Sequence, residues 1–223
     1  MLLSDRAIQE ISQDQYSEGR RLHFYDRGET IPMVAQGFWQ VYRGVAQLSK
    51  LHPSGDETLL GWAKPSTFLG MRLTEVEAYQ ARALSEIYLK WYPLSEIESY
   101  PNLAYSVLTQ VMRRLEQAEA LLAIAGLRKV EERLRELLRM LKQEMGQPIP
   151  GGTRLQVRLT HQTLANAIRT TRVTVTRLLG DFQRQGLIAL DSDRHLIILD
   201  AIDIASNSKP GKAIASSNPD AKA

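Results

Sequence analysis

The sequence predicts an α+β fold: an N-terminal antiparallel β-roll, one long helix, and a C-terminal pair of short helices closed by a β-hairpin. Three observations predict it. Turn signals recur about every ten residues between positions 20 and 100, the rhythm of a roll or sandwich. A proline-free stretch after Pro101 repeats its apolar residues in heptad steps. Two amphipathic helical patterns and a strand–turn–strand follow between 159 and 199. The predicted units are 1–101 (roll), 102–128 (long helix), 129–204 (C-terminal domain) and a disordered tail, 205–223.

In the first unit, β-branched and aromatic runs alternate with Asp26-Arg27-Gly28, Gly37, Arg43-Gly44, Pro53 to Asp56, Lys64-Pro65-Ser66 and Gly70. The clearest piece is a hairpin: Gln40 to Leu51 leads into a turn at His52 to Glu57, and Thr58 to Trp62 returns. From Asn102 to Glu144 there is no proline and one glycine, Gly126, among good helix formers. Leu108, Val111, Leu115, Ala118, Leu122 and Ala125 follow in steps of 3 and 4, a dimer seam. A seam this regular asks for a partner helix, and the other reading is packing against the chain's own domain. A second helix, Lys129 to about Met145, is amphipathic through Val130, Leu134, Leu137, Leu138 and Leu141. Gln147 to Gly152 reads as a loop, and the Ser/Asn/Lys/Pro/Ala-rich tail has no periodicity.

Composition narrows the chemistry. The chain has 223 residues, 43% apolar and 24% charged, which excludes disorder along its whole length. It has no cysteine, so disulfides, thiolate zinc sites, cysteine-ligated iron–sulfur clusters and cysteine nucleophiles are excluded. No run is apolar for long enough to span a membrane, and the N-terminus lacks a basic segment followed by an apolar core. A soluble, cytoplasmic protein without a membrane partner is expected. Net charge is only +3, but its distribution is uneven. Between Arg154 and Ile188 lie six arginines, no lysine and a single acid, Asp181. Such a stretch can approach a phosphate backbone; a solvated helix face is the plainer reading.

The segment Leu159 to Leu179 carries the chemistry. Thr160 is a good N-cap for a first helix, whose inward face is Leu164, Ala167 and Ile168. Arg169-Thr170 is the turn, and Thr171 caps a second helix. There Val175, Leu178 and Leu179 point inward, while Arg172, Val173, Thr176 and Arg177 face out. Gln185 to Leu190, Asp191 to Arg194 and His195 to Leu199 make a strand, turn and strand, the wing. This is the winged helix-turn-helix pattern, and double-stranded DNA is its partner. An arginine early in the second helix can reach guanine in the major groove, and a short apolar side chain can touch a thymine methyl. Thr171, Thr174, His161 and Gln162 stand where helix starts meet phosphates, contacts that position without specifying. A three-helix structural module is the competing interpretation.

With these residues in hand, the chain resembles the cyclic-AMP-receptor/FNR superfamily of bacterial transcription regulators over about residues 20–200. The resemblance rests on Gly28-Glu29, Tyr42-Arg43-Gly44, Gly55-Asp56-Glu57 and Phe68-Leu69-Gly70, on the long helix, and on Thr171 to Leu179. That last string is very similar to the recognition helix of the cyanobacterial nitrogen-control branch, which reads a GTA…TAC palindrome. The resemblance implies a cyclic-nucleotide-binding-like roll and a homodimeric activator. It implies base reading by Arg172, Val173 and Arg177, and contact with RNA polymerase from the hairpin tip His52–Glu57. Arg169 stands where the family usually has glycine and could add a phosphate contact.

For an effector, the family's cyclic-nucleotide cassette does not carry over. Gly70 is followed by Met71 and Arg72 instead of the ribose-binding glutamate, and Tyr79-Gln80 replaces the phosphate-binding Arg-Ser. Cyclic AMP is therefore not expected. Nor is an FNR-type iron–sulfur cluster, and His23 and His52 offer no evident haem ligation. The nitrogen-control branch binds 2-oxoglutarate, which by resemblance would fall on the backbone at Gly70, Met71 and Arg72, on Arg114 and Glu119, and on a roll arginine. Glu77 stands at that last place, and Arg82 is the nearest substitute. An Arg114–Glu119 ion pair between helices, or a regulator with no effector, is equally open. Two other classes compete with a specific regulator. A cupin-like metal enzyme needs a His/carboxylate cluster that the roll does not offer. A non-specific architectural DNA binder would favour a broader, lysine-rich surface than the pair Arg172 and Arg177 beside Val173.

Overall fold

The computed structural model describes residues 22–74 and 76–204, with the side chains of Arg72 and Ile204 excepted. The expectations for the N-terminal 21 residues, for the tail 205–223 and for the Arg72 side chain lie outside the described residues.

The roll consists of two four-stranded antiparallel sheets. One has the order β1 (Leu22–Tyr25), β8 (Ile87–Pro93), β3 (Gly37–Arg43), β6 (Phe68–Leu69). The other runs β2 (Thr30–Ile31), β7 (Tyr79–Ala83), β4 (Ala46–Leu51), β5 (Glu57–Ala63). Trp39, Val41, Leu89 and Trp91 from the first sheet meet Leu48, Tyr79, Ala81 and Ala83 from the second in one buried core. The expected hairpin is β4–β5, with Leu51 opposite Glu57. The run from Gln40 to Leu51 is divided between the two sheets at Gly44, whose φ of +94° turns the chain.

Helix α1 (Leu94–Ser99) leads into α2 (Pro101–Gly126), the expected long helix, and then α3 (Val130–Met145). Helix α2 docks on its own chain through Val107, Gln117 and Ile124, which are buried. The heptad residues Leu108, Val111, Leu115 and Leu122 lie on another side and are exposed, as is Ala118, while Ala125 is partly buried. Intrachain packing of α2 therefore uses a different face from the predicted seam. Helix α3 buries Leu134, Leu137, Leu138, Leu141 and Met145 in the C-terminal core.

That domain differs from expectation at one element. Gln147 to Gly152, read from the sequence as a loop, is mostly paired: β9 (Gly146–Ile149) and β10 (Gly152–Leu155) form a hairpin turned at Pro150 and Gly151. Pro148 is tolerated because β9 is an edge strand. With β11 (Ile188–Leu190) and β12 (Leu196–Leu199) they make a third sheet, ordered β11-β12-β10-β9. The short helices are α4 (His161–Ala167), α5 (Arg172–Arg184) and α6 (Ala201–Ile204). Val45, Leu59 and Trp62 of the roll join the same core as Leu137, Leu164, Val175 and Phe182, so roll and C-terminal domain share buried apolar surface. No helix among the described residues is long and apolar enough to cross a membrane.

Candidate DNA-reading surface

Local chemistry sets the helix-turn-helix. Thr160 Oγ1 accepts from the Thr163 N–H at 3.0 Å, and Thr171 Oγ1 accepts from the Thr174 N–H at 3.2 Å, so both predicted N-caps are made. Leu164, Ile168, Val175, Leu178, Leu179 and Phe182 are buried between the helices, while Ala167 is partly buried. The turn closes with the Thr170 N–H on the Ala165 carbonyl at 3.0 Å. Arg169 sits there with φ +52°, the left-handed region that favours glycine. An Arg169→Gly variant should therefore gain about 0.5–1 kcal/mol of stability. Relief of the left-handed strain outweighs the added freedom of the unfolded chain. Thermal melting checks this, and a variant that melts lower would show that the Arg169 side chain contributes more than its backbone costs.

Arg172, Val173, Thr176 and Arg177 all project from α5 into solvent, with Val173 78% exposed. Val173 is therefore free to meet a partner surface. His161 Nδ1 and Thr176 Oγ1 lie 2.8 Å apart, joining α4 to α5, and Thr176 Oγ1 also donates to the Arg172 carbonyl at 2.9 Å. Thr176 thus fixes the spacing of the two helices. Gln162 Nε2 donates to Asn166 Oδ1 at 2.7 Å along α4. Arg177 Nη1 lies 3.3 Å from Asp181 Oδ2, and Arg184 pairs with the same carboxylate. The single acid of the arginine-rich segment therefore holds two of its six arginines.

A third, Arg154, builds the wing. Its Nε donates to Asp191 Oδ2 at 2.5 Å and its Nη2 reaches His195 Nδ1 at 2.7 Å, while the His195 N–H donates to Asp191 Oδ1 at 2.8 Å. Desolvation alone would raise the Asp191 carboxyl. The hydrogen bonds from Arg154 and the His195 N–H, with the Arg154 charge, outweigh it and hold the carboxyl below its ordinary range. Asp191, Asp193 and His195 cluster closely enough to suggest a metal, yet the guanidinium of Arg154 already serves as their cation. Neither Arg154 nor Asp191 could be singled out from sequence, because they meet only once β10 and the wing share a sheet.

The expected effector residues do not all converge. Gly70 follows β6 in close quarters: a Cβ there would lie 2.9 Å from the Phe38 ring. Met71 is partly open to solvent. Tyr79 is buried, and the Arg114 guanidinium stands 5.9 Å from its ring centre. Burial pushes the Tyr79 hydroxyl's pKa up, with the Arg114 charge acting against it. Glu119 is exposed on α2. Arg82 does not join them. Tyr79, Ala81 and Ala83 face the roll interior, and Arg82, on the alternate face of β7, is exposed. As a substitute for the roll arginine it is corrected by the pleat of the strand.

Sequence reading also missed Gln117. It is an amide in the buried face of α2, whose Oε1 accepts from the Trp62 N–H at 2.8 Å and whose Nε2 donates to Glu144 at 3.2 Å. Lys64 completes the group, 3.0 Å from Glu144.

Comparison with known proteins agrees with this geometry. The Crp-like helix-turn-helix domain family matches residues 132–202. The regulatory protein CysR of Synechococcus elongatus is 32% identical over 171 residues, covering 75% of this chain and 79% of that protein. A global nitrogen regulator of Synechocystis sp. is 30% identical over 179 residues, covering 74% and 79%. Among solved structures, a CRP-family transcriptional regulator from Thermus thermophilus superimposes with a TM-score of 0.70 at 23% identity. It covers 83% of this chain and 97% of that one. The metal-enzyme alternative gives way, since such regulators are not enzymes. From fold, helix-turn-helix and relatives together, the chain belongs to the CRP/FNR family of DNA-binding transcription regulators.

Proposed function

We propose that this regulator acts as a cytoplasmic homodimer on a palindromic operator of the GTA…TAC type, under the control of a small effector. The observation that carries this is the solvent-facing set Arg172, Val173 and Arg177 on a capped, buried-backed helix. Arg172 and Arg177 are the guanine readers and Val173 packs on a thymine methyl. Thr171, Thr174, His161, Gln162 and Arg169 position the domain on phosphates. The exposed stripe Leu108, Val111, Leu115, Ala118 and Leu122, continued by the partly buried Ala125, supports dimerisation through α2. Two recognition helices then address half-sites one DNA turn apart.

The effector acts at the Tyr79–Arg114 side of the roll, with Gly70, Met71, Arg72 and Glu119 as the remaining candidates. The resemblance of Thr171 to Leu179 to the nitrogen-control branch makes 2-oxoglutarate the first small molecule to test. Cyclic AMP, haem and iron–sulfur clusters are not proposed. Contact with RNA polymerase, as an activator, is assigned to the β4–β5 tip. There Gly55 has φ +85° and Ser54 Oγ donates to Asp56 at 2.8 Å.

The test is titration of a GTA…TAC duplex and a scrambled duplex at one fixed salt concentration, with and without 2-oxoglutarate. Selective binding that tightens with the ligand supports the whole reading. Selectivity indifferent to the ligand removes that effector. Equal binding to both duplexes would point to an architectural binder or another half-site, separated by selection from random DNA. In the same assay Arg177→Ala should lose about 1–3 kcal/mol on the palindrome and relax preference at one base pair per half-site. Uniform weakening on every sequence would place Arg177 on phosphate instead.

A further inference from the structure

A cleft of about 350 Å³ lies where β5, α2 and α3 meet, at the lower end of the range that small-molecule sites occupy. Trp62 and Lys64 line it from the roll, Gln143 and Glu144 from α3, and Arg113, Glu116 and Gln117 from α2. Trp62 is only 2% exposed, yet its indole Nε1–H has no acceptor among the described residues. A buried donor left open in a residue that lines a cleft asks for a bound acceptor. The cleft is not the inside of the roll. Trp62 packs with the C-terminal core, whereas Ala63 beside it packs with Tyr79 in the roll core, so the cleft opens on the outer face of β5. Arg114 stands at its border with the Tyr79 side. Nor is it the seam. With Leu108 and Val111 as positions a and d, Arg113 falls at f and Gln117 at c, on the opposite side of α2. The cleft therefore stays open in the proposed dimer.

Charge decides what the cleft accepts. Lys64 neutralises Glu144 at 3.0 Å, and Glu144 also accepts from Gln117. Arg113 and Glu116 are both exposed and lie one helical turn apart on α2, and among the described residues no salt bridge joins them. A simple anion drawn to Arg113 would meet the Glu116 carboxylate, and a simple cation drawn to Glu116 would meet the guanidinium. A molecule with both charges on neighbouring atoms answers both. We propose that this cleft binds a free α-amino acid with a polar side chain. Its carboxylate takes Arg113 and the Trp62 Nε1–H, its ammonium takes Glu116, and Gln143 offers an amide to its side chain. This ligand site is separate from the reading helix and from the Tyr79–Arg114 side of the roll.

The experiment adds L-serine, L-threonine, L-asparagine and L-glutamine, one at a time, to the full chain without DNA, and reads thermal melting and tryptophan emission. At least one is expected to shift the emission and to raise the melting temperature by about 3–6 °C at about ten times its Kd. In Trp62→Phe the emission change should disappear, because Trp39 and Trp91 lie in the roll core. The N-acetyl and α-carboxamide forms of the same amino acid each lack one charge and should bind at least about tenfold more weakly. Arg113→Ala and Glu116→Gln should each weaken binding about ten- to hundredfold. Melting without ligand should stay unchanged in both, since both side chains are exposed. An excess of 2-oxoglutarate should not displace the amino acid. No response to any of the four, or equal binding of a form lacking one charge, overturns the proposal. So does displacement by 2-oxoglutarate, which would make the cleft and the effector site one. No DNA is present, so none of these outcomes depends on which helix reads the operator.

Discussion

Replacing Leu115 and Leu122 together by glutamate is expected to split the proposed dimer and lower affinity for the proposed palindrome by about 10²- to 10⁴-fold, the range lost when two linked binding modules become independent. Both side chains are more than half exposed in the protomer, at 59% and 73%, and neither belongs to its buried clusters. The substitutions therefore spare the intrachain core, and the melting of a protomer should change little. In a dimer they act on four positions at once. Each leucine taken out of an apolar seam forfeits about 1.5–3 kcal/mol of burial. Each glutamate adds the cost of desolvating a charge within an apolar seam. Sedimentation velocity reads the assembly state and a duplex titration reads the affinity. A double variant that still sediments as a dimer would mean that the stripe is not the seam, and that Tyr105 and Met112, also exposed on α2, cover some other partner.

Part of this architecture is legible in the sequence alone. Heptad spacing marks the stripe on α2 because period is a local property of sequence. The caps Thr160 and Thr171 are legible for the same reason: a hydroxyl three residues before an unpaired N–H is a local device. Contacts set by distant pairing are not. The β9–β10 hairpin pairs locally, but its short strands carry Gly146, Pro148 and Gly152, so no run of strand-forming residues marks it, and the β10–β12 partners beside it are more than 40 residues apart. The wing pin of Arg154 on Asp191 waits on the same sheet. Arg82 is a different case. It lies an odd number of residues from Tyr79 on one strand, so a period of two already separates their faces. The resemblance drew attention to its charge, and the pleat decided its direction. Gln117 could not be found from pattern at all, because its partners come from β5 and α3, on either side of α2 in sequence.

That amide carries the second large effect. Gly61→Ala is expected to destabilise the protein by about 2–4 kcal/mol, combining backbone strain with a buried donor left unpaired. Gly61 has φ +143°, and a Cβ built on it would lie 2.2 Å from Gln117 Oε1. The register of β4 and β5 shifts at this point, with Leu48 opposite Gly61 and Ser49 opposite Leu59. β5 is also the edge of its sheet, so its outward N–H groups have no neighbouring strand. Gln117 supplies the acceptor for the Trp62 N–H and ties that edge to Glu144 on α3. Pushing it away breaks a polar group shared by the roll, the long helix and the C-terminal domain. A double-mutant cycle separates strain from clash. Gln117→Ala alone should cost about 1–3 kcal/mol, for the unpaired Trp62 N–H. Once Gln117 is gone, Gly61→Ala should cost only the strain of its φ, about 1–3 kcal/mol, so the pair should fall short of additivity by at least about 1 kcal/mol. Urea midpoints of the four proteins give the coupling. Strict additivity would mean that the new methyl group never meets Gln117, and that the three-way junction does not depend on a missing side chain at position 61.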